Sequence, residues 1–447
     1  MSDLLTIAAS GVNAYQSALT TVSENISNAG TAGYVRRAVN LTEVSSSGGS
    51  INGLTSSVSG VRYDGVDRQA NEFRSEEVRT TSSDLSRSSS GVTWLQRIDS
   101  ALNDNGLSDQ LTGFFNSVQA VAADPTATAP RASMLEAAKS VASAFTITGK
   151  ALDTATSDMK ASVTQSVNQL NQLSTTLATV NDALGRSKAG SSGQAALMDQ
   201  RDQVLDQMSQ LVNINVSTDS TGRATVRAGG ASGPLLVEGN IAGTVVAAHN
   251  NTGVLSFSVH RNGQTSTMTP GGGSLAGMVD SAQKIADAST ALQSMATDFM
   301  NGVNSVQAGG QDLSGNAGQP IFAAGSGTAA LSVVMDDPQA IAAAATGGGT
   351  RDNSNIQAFN ALRSSGGFEQ NLTNMIADNG STLSGRQQVV DAQTSIRDQA
   401  VSSRDSLSGV NLDEEAVDLM RFQQAYQASS RVIQVARETF QSLINIG

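Results

Sequence analysis

The residues that could do chemistry are few and scattered. His249 and His260 are the only histidines, and both fall in a Thr/Val-rich stretch. Two imidazoles can hold a metal or act as a base. The nearest acid in sequence is Glu238, however, and no Asp or Glu accompanies them at strand spacing, so histidines exposed on strands are expected. The glycine runs at 271–273 and 347–349 lack the Lys-Ser/Thr of a phosphate loop and the GxGxxG opening of a dinucleotide site, which leaves flexible loops. Serine is abundant, but no G-x-S-x-G elbow occurs. Cysteine is absent, which excludes disulfides and thiolate metal sites. The densest acidic group, Asp413, Glu414 and Glu415, follows Asn411, a good helix cap. Glu414 has capping-box spacing, and negative charge suits the positive end of a helix dipole. A helix start therefore explains these carboxylates better than catalysis. We expect no enzyme, no cofactor and no metal.

The elements must then carry the function. The chain has 447 residues, more than one domain's worth, and a net charge of −12, which argues against a nucleic-acid partner reached through its phosphates. Charged residues make up 15%, too few for a polyacidic disordered chain. Aromatics make up only 4%, and Trp94, between Val92 and Leu95, reads as core. Narrow helical seams filled by Leu, Val, Ile and Ala need little aromatic bulk. No apolar run approaches the roughly 20 residues that span a bilayer. No Lys or Arg precedes Arg36, so the positive n-region of a secretory signal peptide is missing, and another route must carry the protein if it leaves the cell.

The clearest periodicity lies at the two ends. Leu5, Ala8, Val12, Tyr15, Leu19, Val22, Ile26 and Ala29 are spaced alternately three and four apart, a coiled-coil stripe. The same spacing from Leu412 gives Leu412, Glu415, Leu419, Phe422, Tyr426, Ser429, Ile433, Ala436, Phe440 and Leu443. Helices of this length with an apolar stripe draw their stability from packing, so the two ends are expected to pair, and to pair further with other copies. The stretch SENISNAGTAGYVRR (23–37) closes the first ladder. Asn25 and Asn28 are expected to end the helix, Gly30 and Gly33 to allow a turn, and Tyr34 to anchor the exit. Arg36 and Arg37, the first two positive charges of the chain, follow that turn.

Between the ends, residues 45–60 read as a linker or hairpin. Residues 68–121 read as helix broken near NDNG (103–106), and 131–184 as helix with Val163, Val167, Leu170, Leu173, Leu177, Val180 and Leu184 on one stripe. A further helix carries Leu197, Val204, Met208 and Leu211. Residues 212–270 alternate in the manner of strands, with Asn262-Gly263 as a hairpin signal. Helix resumes after 271–274, residues 308–350 read as Gly-rich, irregular and partly extended, and helices return at about 353–365 and 368–405. The expected fold is mainly α with a small all-β insertion. It has a paired terminal coiled-coil domain (1–44 with 408–447), an elongated helical bundle (45–211 with 272–407) and a β-rich domain (212–271). The nested order predicts a rod with its termini at one end and the insertion at the other.

SENISNAGTAGYVRR resembles the N-terminal motif of bacterial flagellar rod, hook and hook-associated proteins. Asn25, Ile26, Asn28, Ala29, Thr31, Gly33 and Tyr34 match it, while Glu24, Gly30 and Ala32 replace Asn, Asn and Pro. SGVNLDEEAVDLMRFQQAYQASSRVIQ (408–434) is similar to the matching C-terminal motif. In the middle, ALMDQRDQVLDQMSQLV (196–212), GGSLAGMVD (272–280), VMDDPQAIAAA (334–344) and GTRDNSNIQAFNAL (349–362) resemble the hook-associated protein 1 family.

The resemblance implies an extracellular structural protein at the junction of hook and filament, exported unfolded through the flagellar type III apparatus by an uncleaved signal. It implies partners: other copies of the chain in a helical tube, hook protein, hook-associated protein 3, and an export chaperone on the C-terminal helix. Membrane insertion is not expected. The assembly seams would be Leu5, Val12, Tyr15, Leu19, Val22 and Ile26 at one end, and Leu412, Leu419, Phe422, Tyr426, Ile433, Phe440 and Leu443 at the other. Stacking would bury these stripes, coupling order to assembly. Alternatives are another axial protein of the rod and hook group, a cytosolic coiled-coil signalling protein, or a secreted enzyme or adhesin built on the β insertion.

Overall fold

The computed structural model describes residues 2–44, 60–250 and 253–446. Nearly all of the 45–60 linker therefore lies outside the described residues. The chain opens with helix α1 (Ser2–Asn28), followed by strands β1 (Arg37–Glu43) and β2 (Val61–Arg68). The two strands flank the segment that reads as a linker or hairpin, and form an antiparallel pair laid on α1. Only Val39 and Leu41 of β1 supply apolar alternation, too short a signal to read.

The body is a helical bundle. Helix α2 (Glu72–Asn103) is capped by Asn71, whose side chain accepts from the Arg74 amide at 3.1 Å. It breaks at the expected NDNG, where Gly106 adopts φ 63° ahead of α3 (Leu107–Ala123). After a turn at 124–127 the chain runs through α4 (Thr128–Arg186), 59 residues and about 90 Å long at 1.5 Å per residue. Its expected stripe is buried from Val163 to Leu184, with Leu173 partly covered. Helix α5 (Ser192–Leu211) is capped by Ser191. Helix α6 (Gly273–Ala308) follows the insertion, and α7 (Ser354–Gly366) and α8 (Phe368–Ser408) return along the bundle, α8 beside α2. Helix α9 (Leu412–Ile446) then lies against α1.

The few aromatics are concentrated, not spread along the seams. Phe114, Phe115, Phe145, Phe299, Phe322, Phe359 and Phe368 form one cluster, with ring centroids 5.3–6.3 Å apart. This cluster joins α3, α4, α6, α7 and α8 at the end of the bundle away from the termini. Edge-to-face rings fill the wide gap where several helices converge.

The insertion is two antiparallel sheets. Strands β3 (Ile214–Thr218), β4 (Ala224–Ala228), β5 (Leu235–Glu238) and β6 (Ile241–Ala242) make one. Strands β7 (Thr244–His249), β8 (Leu255–Arg261) and β9 (Gln264–Met268) make the other. Leu255, Phe257 and Val259 are buried as their alternation requires, and Asn262 and Gly263 take φ 50° and 76°, the conformation of a two-residue hairpin turn. Helix α4 carries this unit. Asn181 exchanges hydrogen bonds with the Ala224 backbone (both 2.8 Å), and Asn171 does the same with Val245 (2.7 and 3.0 Å). Two asparagines thus satisfy sheet backbone that would otherwise lack partners.

That attachment corrects the expected layout. The insertion does not sit at the end opposite the termini. Helix α4 runs the length of the bundle back toward the base, so its C-terminal half brings the insertion there, and β3 touches the start of α2 through a Thr218–Glu72 hydrogen bond of 2.7 Å. Residues 308–350 are largely irregular with short extended pieces, as expected: β10 (Gly310–Gln311), β11 (Phe322–Ala324), β12 (Leu331–Val333) and β13 (Ala344–Ala345), with one 3₁₀ turn at Pro338–Ala340.

Candidate functional site

The terminal helices meet along a thin core. Ala18, Val22 and Phe422 are its buried centre, and Tyr15, Leu19, Ile26, Val39, Leu41 and Leu419 pack against them. The rings of Tyr15 and Phe422 lie 6.4 Å apart. The deepest apolar residues of α1 are Ala14 and Ala18, beside the expected stripe, because small side chains let the two backbones approach. Leu5, Val12, Tyr426 and Ile433 are half-buried, whereas Leu412 and Phe440 stand in solvent. The side chain of Leu443 lies outside the described ones. The face of α9 turned away from α1 exposes Val417 (59%), Met420 (55%) and Val435 (60%).

Below this core the motif at 23–37 builds a polar joint between the terminal helices and the bundle. Asn25 does not end the helix; α1 continues to Asn28, and Asn25 turns inward from its last turn. All four hydrogen-bonding positions of its amide are used. Its Nδ2 donates to the Arg37 carbonyl (2.9 Å) and to Glu415 Oε2 (3.0 Å). Its Oδ1 accepts from the Tyr34 hydroxyl (2.8 Å) and the Arg37 amide (3.1 Å). A buried amide so satisfied specifies one arrangement of three segments. Burial pushes the Tyr34 hydroxyl up to about 12, so it stays a donor. Asn28 folds back onto the Glu24 carbonyl (2.9 Å), and Gly33 takes φ 78°, which a side chain would strain.

Glu415 is the partner that the helix-start reading missed. Its side chain is 1% exposed and accepts from Arg36 Nε at 2.6 Å, while Arg36 also reaches Asp418 at 3.5 Å. These carboxylates hold the Arg36 guanidinium above its usual value. Asn411 does cap α9, accepting from the Asp413 amide at 3.1 Å.

Arg37 turns the other way. It pairs with Glu24 (3.0 Å) and with Asp199 on α5 (3.3 Å), and stacks 4.8 Å above the Tyr34 ring. Arg68, from β2, pairs with Asp199 (2.6 Å) and Asp202 (2.7 Å), and Arg201 adds to Asp202 (2.7 Å). Asp206 accepts from Arg404 of α8 at 3.1 Å, with Arg79 of α2 at 3.8 Å. Gln203 donates to the Ala32 carbonyl at 2.7 Å, and the Arg36 amide donates to Ser408 at 2.9 Å. Burial raises Asp199 and pushes Asp206 up to about 6, whereas Arg68 and Arg201 overcome burial and lower Asp202. The sequence did hold a signal for this face. Asp199, Asp202 and Asp206 are spaced i, i+3, i+7, which puts three carboxylates on one side of α5.

The histidines stand apart from all of this. His260 is exposed on β8, with Thr265 at 2.9 Å, and His249 ends β7. Among the described residues, no three His, Asp or Glu side chains are placed to hold a metal, and no helix is long and apolar enough to cross a membrane.

Comparison with known proteins agrees with the geometry. The family model of the flagellar hook-associated protein FlgK helical domain matches residues 95–322, and that of the flagellar basal body rod FlgEFG protein C-terminal region matches 402–446. Flagellar hook-associated protein 1 of Escherichia coli (strain K12) is 24% identical over 551 aligned positions, covering 100% of both chains. That of Bacillus subtilis (strain 168) is 27% identical, covering 99% of this chain and 97% of its own. The solved hook junction protein FlgK from Burkholderia pseudomallei shares the fold, with a TM-score of 0.50 and 22% identity over 56% of this chain and 47% of that one. With the helical-domain model spanning just over half of its length, the chain belongs to the flagellar hook-associated protein FlgK family, structural proteins of the bacterial flagellum rather than enzymes.

Proposed function

We propose that this protein is the subunit of the junction between hook and filament, and that it polymerises through its paired terminal helices. The observation that carries the reading is the second apolar face of α9. Val417, Met420, Val432 and Val435 are exposed on a helix whose other face already holds α1. Large apolar side chains repeated along one exposed face are a surface for association. Neighbouring copies in a helical tube would cover it, by contacts that repeat head to tail. The terminal pair, with its small core, orders fully only there.

The three-domain division follows the same logic: 1–44 with 408–447 as the inner tube, 45–211 with 272–407 as the wall, and 212–271 as the insertion. Export through the flagellar type III apparatus, hook protein and hook-associated protein 3 as neighbours, and a chaperone on α9 before export complete the reading.

The test is a Val417→Asp, Val435→Asp double variant. Both residues are exposed in the subunit, so folding should be unchanged. Cells carrying it should build hooks that shed filament subunits into the medium. Anchored filaments of normal number would overturn the assignment. Leu419→Asp or Tyr426→Asp is a poorer test, because both residues also pack toward α1.

A further inference from the structure

The insertion contains a cleft of about 560 Å³ that the assembly reading does not use. One wall is β4 with the chain leading to β5, and the other is the β8–β9 hairpin. An arginine comes from each wall. Arg227 donates to the Gly233 carbonyl at 3.0 Å, and among the described residues no carboxylate lies within ion-pair distance of it. Arg261 pairs with Glu238 at 2.7 Å, but its Nε is buried and has no hydrogen-bond partner. A buried guanidinium N–H without an acceptor is uncommon and calls for one. Two cationic side chains brought to one cleft, in a chain of net charge −12, concentrate positive potential where an anion would be held.

The remaining lining decides what carries the anion. Ser232, Asn262, Gln264, Ser266 and Thr267 present hydroxyls and amides that both donate and accept. That suits sugar hydroxyls. A peptide would need apolar side pockets, and the cleft offers few apolar side chains. Its volume is within the range of ordinary ligand sites. We propose that this cleft binds an acidic saccharide, with Arg227 and Arg261 contacting its carboxylate or sulfate groups and the hydroxyl and amide side chains contacting its hydroxyls.

The experiment titrates the full chain by calorimetry at low salt with three probes: an oligogalacturonate, a heparin-derived oligosaccharide and neutral maltohexaose. Saturable binding of either acidic probe, at least tenfold tighter than maltohexaose, supports the site and identifies the anion it reads. Arg227→Gln and Arg261→Gln should each weaken binding about tenfold, the scale of one charge-assisted contact. Glu238→Gln, which removes the competing carboxylate from Arg261, should tighten it. If Arg261→Gln disturbs the insertion, Arg227→Gln and Glu238→Gln carry the test. The proposal fails if neither acidic sugar binds, or if the Arg227 variant binds like the parent chain. It also fails if poly-glutamate binds as tightly as the sugars, which would assign the cleft to acidic peptides.

Discussion

Asn25 Nδ2 donates to Glu415 Oε2 across 3.0 Å, although the two residues are 390 positions apart in sequence. Glu415 accepts from Arg36 as well, so one buried carboxylate ties the last turn of α1, the exit from the turn and the start of α9. The terminal helices are therefore clamped at their base by polar contacts and held above it by a small apolar core.

Asn25→Ala should release that clamp. It removes the acceptor of the Tyr34 hydroxyl and the Arg37 amide, and leaves the Arg37 carbonyl and Glu415 each with one donor fewer. Losing buried hydrogen bonds to charged groups costs about 2–4 kcal/mol here. Amide exchange should rise throughout α1 and α9, while α2, α4 and α6 keep their protection. Equal exchange in parent and variant would mean that the apolar core alone holds the pair.

Asp206 should make the joint sensitive to pH. Its folded value is about 6 against an ordinary 3.8, because burial outweighs the pull of Arg79 and Arg404, and Asp202 adds to the rise. A carboxyl that holds its proton more tightly when folded contributes stability fully below about pH 4 and loses it as pH rises through about 6. The side chain keeps 30% of its surface open to water, so the loss should stay below the roughly 3 kcal/mol of a dry site. Relative to Asp206→Asn, the parent chain should lose thermal stability between pH 4 and 6.5. Parallel curves for the two proteins would refute this.

Gly65 should not tolerate a side chain. It has φ 119°, and a Cβ would meet the Gly190 carbonyl oxygen. That oxygen also accepts from the Val66 amide at 2.8 Å, which seats β2 on the loop before α5. Gly65→Ala should cost about 1–3 kcal/mol and loosen β1 and β2 in amide exchange, with the phenylalanine cluster unaffected.

Among the described residues, Arg131 is a cation held by backbone carbonyls alone. It is 1% exposed and donates to Pro125 (2.7 Å), Ile341 (2.7 Å), Pro338 (3.3 Å) and Gln339 (3.4 Å). Burial holds it below its usual value. Arg131→Lys should not rescue this cage, because one ammonium cannot span acceptors that the planar fork reaches on two sides. Both Arg131→Lys and Arg131→Met should lower the melting temperature, with a stability loss of about 3 kcal/mol for the lysine, and expose residues 336–343 to exchange.

Periodicity and turn chemistry determined most of the elements by themselves. The apolar spacings of α1, α4 and α9, the break at NDNG, the Asn262-Gly263 hairpin and the Asn411 cap all follow from contacts within a few residues, where local sterics and one-dimensional spacing decide. Tertiary structure alone decided where those elements meet. Glu415 reads locally as helix-dipole charge, and it becomes a buried anchor because Asn25 and Arg36 are brought to it. Asp199 and Asp202 share one side of α5, and they become buried ion-pair partners because Arg37 and Arg68 close over them. The insertion sits near the base because a 59-residue α4 turns the chain back, a consequence of packing length that no local pattern encodes. Charged groups are the least legible of all, since one side chain is tolerated equally in water or in a satisfied buried network, and only the partner, hundreds of residues away, distinguishes the two.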